Sequence, residues 1–227
     1  MHIDIVLPKP ASLHGYTLFI HLYYDFTHFH LVYPAKDRSE PTVKLFLVSA
    51  LAFTKKLGLR IYTIRSDIEG ALNSDRIIAL LSEEGITYER TVASTLEQNG
   101  LAEASGDILI RKARALRVHA DLPQSLWPDL IQTASYLDNR TPREQLGWKT
   151  PYEMVYNAKP YIGNIRIIGS KSFLLDKAIP HGRKFQPRAY IGYLIGYDAH
   201  NIWRFWVPML GDRPLLTLWW NHRERQE

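Results

Sequence analysis

The chain has 227 residues, 46% of them hydrophobic and none of them cysteine. That excludes a chain disordered throughout, and with it disulfides, thiolate catalysis and Cys-ligated zinc. The net charge of +5 is unevenly placed, since residues 1–103 carry 10 Lys+Arg against 12 Asp+Glu and residues 104–227 carry 18 against 11; a polyanionic partner is one reading of that basic half, a solvated surface the other.

Elements follow in chain order. Asp4-Ile5-Val6 is the candidate first strand. Residues 17–23, apolar and rich in aromatic and β-branched side chains, form the next, and Phe29–Tyr33 a third that Pro34 ends. Ser39 caps a helix with Pro41 in its first turn and Val43, Phe46, Leu47, Ala50, Phe53 and Leu57 at helical spacing, closed by Gly58. Leu59–Ile64 is a strand leading into Arg65-Ser66-Asp67. A helix capped by Asn73 runs to Gly85, and a strand spans Ile86–Val92. Ala93–Gly100 is polar and loop-like. A basic helix starts at Leu101, and another spans Leu122–Arg140, entered through Pro123 and Pro128. Short β-type runs separated by Gly and Pro follow at 164–168, 171–175, 189–194, 202–207 and 215–219, the pattern of a small barrel. No run reaches the roughly 18 apolar residues of a membrane span, and the start lacks a signal peptide's apolar stretch. A soluble intracellular protein is expected, with no membrane partner.

Three carboxylates stand out at the ends of these elements: Asp4, Asp67 and Glu103, the last two separated by 35 residues. Clustered carboxylates suit hard divalent cations, and two such ions roughly 4 Å apart can serve phosphoryl transfer. Each residue also has a plain structural reading: Asp67 as a turn residue, Glu103 as a first-turn helix carboxylate, Asp4 as a terminal residue. His21, His28 and His30 alternate with apolar residues on neighbouring strands. Half-buried strand histidines are the favoured reading there, a metal cluster the rival.

Arg65-Ser66-Asp67, Gly85-Ile86-Thr87-Tyr88 and Glu97-Gln98-Asn99-Gly100-Leu101-Ala102-Glu103 resemble, in order and spacing, the integrase core of copia-type LTR retrotransposon Pol polyproteins. So do Leu122-Pro123-x-x-Leu126-Trp127, Tyr136-Leu137-x-Asn139-Arg140-Thr141-Pro142, Thr150-Pro151-Tyr152-Glu153 and Lys159-Pro160. Upstream, Asp4-Ile5-Val6-x-Pro8 and Asp25-Phe26-Thr27-His28 match the first catalytic strand and its partner; Ala189–Leu194 resembles the SH3-like domain that follows the core. The likeness covers roughly residues 1–210.

The resemblance implies an RNase H-like α/β fold, a mixed sheet with flanking helices, followed by a small SH3-like β-barrel. The expected division is a catalytic core at 1–145, a linker at 146–162, the barrel at 163–215 and a tail at 216–227. It implies an enzyme joining the 3′-OH ends of element DNA to target DNA by two-metal transesterification. Asp4, Asp67 and Glu103 would hold Mg²⁺ or Mn²⁺ and carry catalysis. Gln98, Asn99 and Gly100, in a mobile loop before the catalytic helix, and Arg111, Lys112, Arg114 and Arg117 along it, would contact nucleic acid. Element and target DNA are the implied partners, RNA a further one, with a homo-oligomer and nuclear action also implied.

The chain departs from the family's pattern around those carboxylates. The usual Asp-Asn-Gly-Gly-Glu-Phe reads Asp67-Ile68-Glu69-Gly70-Ala71-Leu72, the usual Thr-Pro reads Thr95-Leu96, the usual Glu-Arg reads Glu103-Ala104, and the two acids before Phe26 read Tyr24-Asp25. Groups around metal ligands orient them, so a partly degenerate copy is expected. The absence of cysteine predicts a truncated one, without the family's upstream His/Cys zinc module. A catalytically inactive nucleic-acid-binding remnant is the alternative reading.

Overall fold

The computed structural model describes residues 1–66, 71–90, 96–175, 188–208 and 216–219, with side chains described for all of these except 71, 96–103 and 216–219. Strands β1 (His2–Val6), β2 (Leu18–Tyr24) and β3 (Phe29–Ala35) form an antiparallel meander. Strand β4 (Thr63–Ser66) joins β1 in parallel, and β5 (Thr87–Arg90) joins β4 in parallel, for a mixed sheet of order β3-β2-β1-β4-β5. Parallel neighbours need a crossover. Helix α2 (Asp75–Glu83) supplies the one between β4 and β5, while α1 (Glu40–Lys56) links β3 to β4.

Strand β2 is buried along its whole length because the sheet is covered on both faces. Its alternation sends Leu18, Ile20, Leu22 and Tyr24 into a core shared with Val43, Phe46 and Leu47 of α1 and Ile77 and Leu81 of α2. Phe19 lies on the opposite face, packed by Leu109 of α3 (Leu96–His119) and by Trp127, Ile131 and Ala134 of α4 (Trp127–Asp138). By the same alternation His21 and Tyr23 belong to the α3/α4 face.

Several boundaries differ from the sequence reading. Pro34 does not end β3. It pairs with Phe19 inside the strand, which the edge position of β3 permits, because a proline there has no partner waiting for its missing N–H. Ser74, not Asn73, caps α2 by accepting from the Ile77 N–H at 3.3 Å. Ser39 stands at the N-cap of α1, but its hydroxyl bonds Asp37 at 2.5 Å rather than a helical N–H. The backbone of α3 starts at Leu96, so Gln98, Asn99 and Gly100 belong to the helix and not to a preceding loop; residues 93–95 lie outside the described residues. Leu96, Glu97 and Gln98 favour helix enough to carry Gly100, whose cost is about 1 kcal/mol. Helix α4 begins at Trp127, after a single 3-10 turn at Gln124–Leu126.

Residues 151–156 form helix α5 (Pro151–Tyr156), inside the expected linker. A reciprocal cap starts it: Thr150 accepts from the Glu153 N–H at 3.0 Å, and the Glu153 carboxylate accepts from the Thr150 N–H at 2.8 Å. Residues 164–168, expected as a strand, are not one. Their backbone groups take side-chain partners instead: Trp203 Nε1 donates to the Asn164 carbonyl at 3.0 Å, and the Arg166 N–H donates to Tyr197 Oη at 3.1 Å.

Strands β6 (Lys171–Leu175), β7 (Ala189–Ala199), β8 (Ile202–Trp206) and β9 (Leu216–Trp219) form a second, small antiparallel sheet in that order. Among the described residues β6 and β9 do not pair. The sheet leans on α4. Thr133 Oγ1 donates to the Ile195 carbonyl at 2.8 Å, and Arg204 reaches Asp129 and Gln132, each at 2.8 Å. The approach is close enough that a Cβ on Gly196 would lie 2.5 Å from Thr133 Oγ1. A stacked column ties the parts together: Tyr197 lies on Tyr136 at 4.9 Å between centroids, and the Arg140 guanidinium sits between Tyr136 and Tyr152, at 3.4 and 4.8 Å. The Tyr-Leu-x-Asn-Arg and Pro-Tyr-Glu phrases thus place an arginine between two tyrosines from different helices.

Candidate active site

Asp4 sits on the central strand β1, directly opposite His21 of β2 in the antiparallel register. Cross-strand partners share a face, so Asp4 and His21 both lie under α3. The contact point is Gly106: a Cβ there would stand 3.6 Å from His21 Nδ1 and 3.8 Å from Asp4 Oδ2. Glu103 precedes Gly106 in α3 by three residues, about one helical turn. The side chains of Gln98, Asn99 and Glu103 lie outside the described residues, as does Asp67, which follows Ser66 at the end of β4. The structure therefore brings together Asp4 and the turn of α3 that follows Glu103.

Beside Asp4 begins a buried polar chain. His21 Nε2 and His30 Nδ1 are 2.9 Å apart. His30 Nε2 stands 3.0 Å from Asp138 Oδ2, and Lys112 and Arg143 both bond the Asp138 carboxylate. His21, His30 and Asp138 are each about 1% exposed. Asn139 completes the enclosure: its amide donates to the His30 carbonyl and accepts from the His30 N–H, both at 2.8 Å, so the end of α4 pairs an edge-strand residue as a neighbouring strand would.

The electrostatics follow from burial. Burial lowers the His21 pKa from 6.5 to about 3, helped by His30 and only partly opposed by Asp138. Burial lowers His30 as well, against the pull of its bond to Asp138. For Asp138 burial alone would favour the neutral acid, but the His30 bond, Lys112 and Arg143 together outweigh it and hold the carboxyl well below its ordinary range. Both imidazoles are neutral near pH 7, and the carboxylate is ionised between two cations.

The sequence places His21, His28 and His30 on strands as half-buried histidines; His21 and His30 are buried strand residues, whereas His28 is half-buried in the turn between β2 and β3, at φ 56°. Asp138 and Arg143 were missed. Asp138 is the unspecified position in Tyr136-Leu137-x-Asn139-Arg140, 108 residues from His30, and only the packing of α4 on β3 brings the two together. Of the four basic residues proposed along α3, Arg111, Lys112 and Arg114 are exposed and Arg117 is half-buried. The Lys112 ammonium is held by Asp138, and Arg117 approaches the Leu122 carbonyl at 3.4 Å.

Among the described residues no group of three His, Cys, Asp or Glu side chains is placed to hold a metal ion. Asp4 nevertheless fits a hard cation in kind. It is an oxygen donor on the face that α3 covers, and the set Asp4, Asp67 and Glu103 offers carboxylate oxygens only, the donors that Mg²⁺ and Mn²⁺ take. Among the described residues no helix is long and apolar enough to cross a membrane.

No protein-family model matches the chain. The chain is 30% identical over 165 residues, 68% of its length, to the retrovirus-related Pol polyprotein from transposon TNT 1-94 of Nicotiana tabacum, and it spans only 12% of that polyprotein. In fold it is similar to the catalytic core domain of BIV integrase, with a TM-score of 0.52 and 16% identity, covering 69% of this chain and 92% of that domain. On these similarities, the chain belongs with the retrovirus-related Pol polyproteins of transposons, and its fold is that of an integrase catalytic core domain, RNase H-like.

Proposed function

We propose that the chain carries out DNA integration, joining element 3′-OH ends to target DNA through Asp4, Asp67 and Glu103. In that reaction the 3′ oxygen forms a bond to a target phosphorus while the target's own P–O3′ bond breaks; the leaving 3′ oxygen takes up the proton the attacking hydroxyl loses. Mg²⁺ or Mn²⁺ held by the three carboxylates would supply charge neutralisation of attacking and leaving oxygens. The protein's part is to bring together a carboxylate of the sheet, Asp4, one of the helix packed on it, Glu103, and Asp67.

The observation that carries this reading is the placement of Asp4 under α3, with its Oδ2 3.8 Å from the Gly106 Cβ position, one turn beyond Glu103. The parallel pairing of His2 with Arg65 supports Asp67 as the third member, because Asp4 and Asp67 each follow a paired residue by two in the sequence. Gln98, Asn99 and Gly100 in the first turns of α3, and Arg111, Lys112, Arg114 and Arg117 further along, form the proposed nucleic-acid surface. Phosphate contacts there would be tolerant of sequence and sensitive to salt. The small second sheet is proposed to act as the SH3-like module of the family. DNA is the first partner, RNA a second candidate, in a homo-oligomer acting in the nucleus.

Strand transfer tests this. A labelled duplex with a free 3′-hydroxyl is incubated with plasmid and Mn²⁺, beside an Asp67→Asn variant. Joined product from the wild-type chain that vanishes in the variant is the expected result. Salt-dependent DNA binding without product gives the alternative, a nucleic-acid-binding remnant, which the departures at Ile68, Ala71 and Ala104 favour.

A further inference from the structure

The buried chain beside Asp4 has a direction. Asp138 is an ionised carboxylate and accepts hydrogen bonds. A bare His30 Nε2 would set its lone pair against Asp138 Oδ2 at 3.0 Å, in surroundings that screen neither. Arg143 Nη2 also lies 3.2 Å from His30 Nε2, but its guanidinium is bonded to the same carboxylate oxygen. The carboxylate decides the proton: His30 donates from Nε2, which leaves His30 Nδ1 as an acceptor. His21 Nε2, at 2.9 Å, must then be the donor. In a neutral imidazole that assignment strips the other nitrogen, and the other nitrogen of His21 is Nδ1. That atom and Asp4 Oδ2 both lie within 4 Å of the point where Gly106 has no Cβ.

We propose that His21 is a positioning residue for Asp4: the chain Asp138–His30–His21 fixes the imidazole in its Nε2–H form, and the bare Nδ1, in the notch over Gly106, holds a shared water against the Asp4 carboxylate. A water there donates one proton to each acceptor and fixes the carboxylate's rotation without drawing off its charge. The reverse tautomer would place an N–H beside Asp4 and compete directly for its lone pairs. Lys112 and Arg143, by holding Asp138, set the orientation from the far end. The proposal rests on the reading of Asp4 as a cation ligand.

The first test uses the metal-free full chain. Long-range ¹⁵N–¹H spectra of histidine-labelled protein, with the His21 signals assigned by their loss in His21→Asn, should show Nδ1 unprotonated and Nε2 protonated; the opposite tautomer overturns the proposal. The second measures Mn²⁺ affinity by calorimetry in wild type, His21→Leu, His21→Asn, Gly106→Ala and Asp67→Asn. His21→Leu should bind about tenfold more weakly, in the range expected for losing a group that orients a ligand. His21→Asn, whose amide oxygen can stand near the Nδ1 position, should recover most of the affinity. Gly106→Ala fills the notch with ordinary contacts on a helix that favours alanine, so it folds even if His21→Leu does not, and it too should weaken binding about tenfold. If Asp67→Asn loses Mn²⁺ while His21→Leu and Gly106→Ala bind as wild type does, the His21 proposal falls and the carboxylate site stands. If Asp67→Asn binds like wild type, the carboxylate reading falls and takes the proposal with it.

Discussion

Acid should destabilise this fold well before its carboxylates titrate. His21 has an ordinary pKa of 6.5 when exposed and about 3 when buried. Between those values the unfolded chain binds a proton that the folded chain refuses, so stability falls as pH falls. The contribution is complete above pH 6.5. At pH 5 the unfolded state is favoured by about 1.5 pH units of proton binding, or roughly 2 kcal/mol at about 1.4 kcal/mol per unit. His30, lowered in the same direction, adds to the loss. Against a typical stability of about 5–15 kcal/mol, this is a large fraction. Urea unfolding of wild type and His21→Gln at pH 7, 6 and 5 measures it. Glutamine keeps an N–H for His30 Nδ1 but cannot titrate. Its loss between pH 7 and 5 should be smaller than wild type's by about 2 kcal/mol, with the denaturant slope unchanged. Curves for the two proteins that fall in parallel would refute the burial of a neutral His21.

Asp138→Ala leaves His30, Lys112 and Arg143 without their common acceptor and should cost about 3–5 kcal/mol in urea unfolding. Gly196→Ala drives a methyl into Thr133 Oγ1, which cannot turn away without giving up its bond to Ile195; a loss of about 1–3 kcal/mol is expected from thermal or urea unfolding. In DNA binding followed by fluorescence anisotropy, Arg111→Ala, Arg114→Ala and Arg117→Ala should each reduce the salt dependence by about 0.9 in log–log slope. Lys112→Ala should change that slope least of the four, since Asp138 already holds its ammonium.

The sheet and its helices were legible because their signals are local. Strand β2 announces itself as an unbroken apolar run, and Val43, Phe46, Leu47 and Ala50 show the buried stripe of α1. Element ends were less legible. Pro34 reads as a strand breaker until the edge position of β3 is known, and the helical start at Leu96 is hidden by the polar Gln98-Asn99-Gly100 that follows it. At the candidate site, Asp4 stood out as a carboxylate on a strand, and its place opposite His21 follows from register. The buried Asp138 did not stand out, because an aspartate at the end of an amphipathic helix normally faces water. Its enclosure depends on β3, Arg143 and Lys112 arriving from three other stretches of chain. The same is true of Arg140, whose role between Tyr136 and Tyr152 requires α4 and α5 to be placed first.

Integration by this chain requires Asp4, Asp67 and Glu103 to meet at one divalent cation, and iron-directed backbone cleavage tests that meeting without any substrate. Fe²⁺ is loaded in place of Mg²⁺, ascorbate and peroxide are added, and the cuts are mapped by mass spectrometry. Cuts grouped around residues 4, 67 and 103, all suppressed by excess Mg²⁺, are the expected result. Cuts near only one of the three, or cuts that Mg²⁺ leaves untouched, would contradict it.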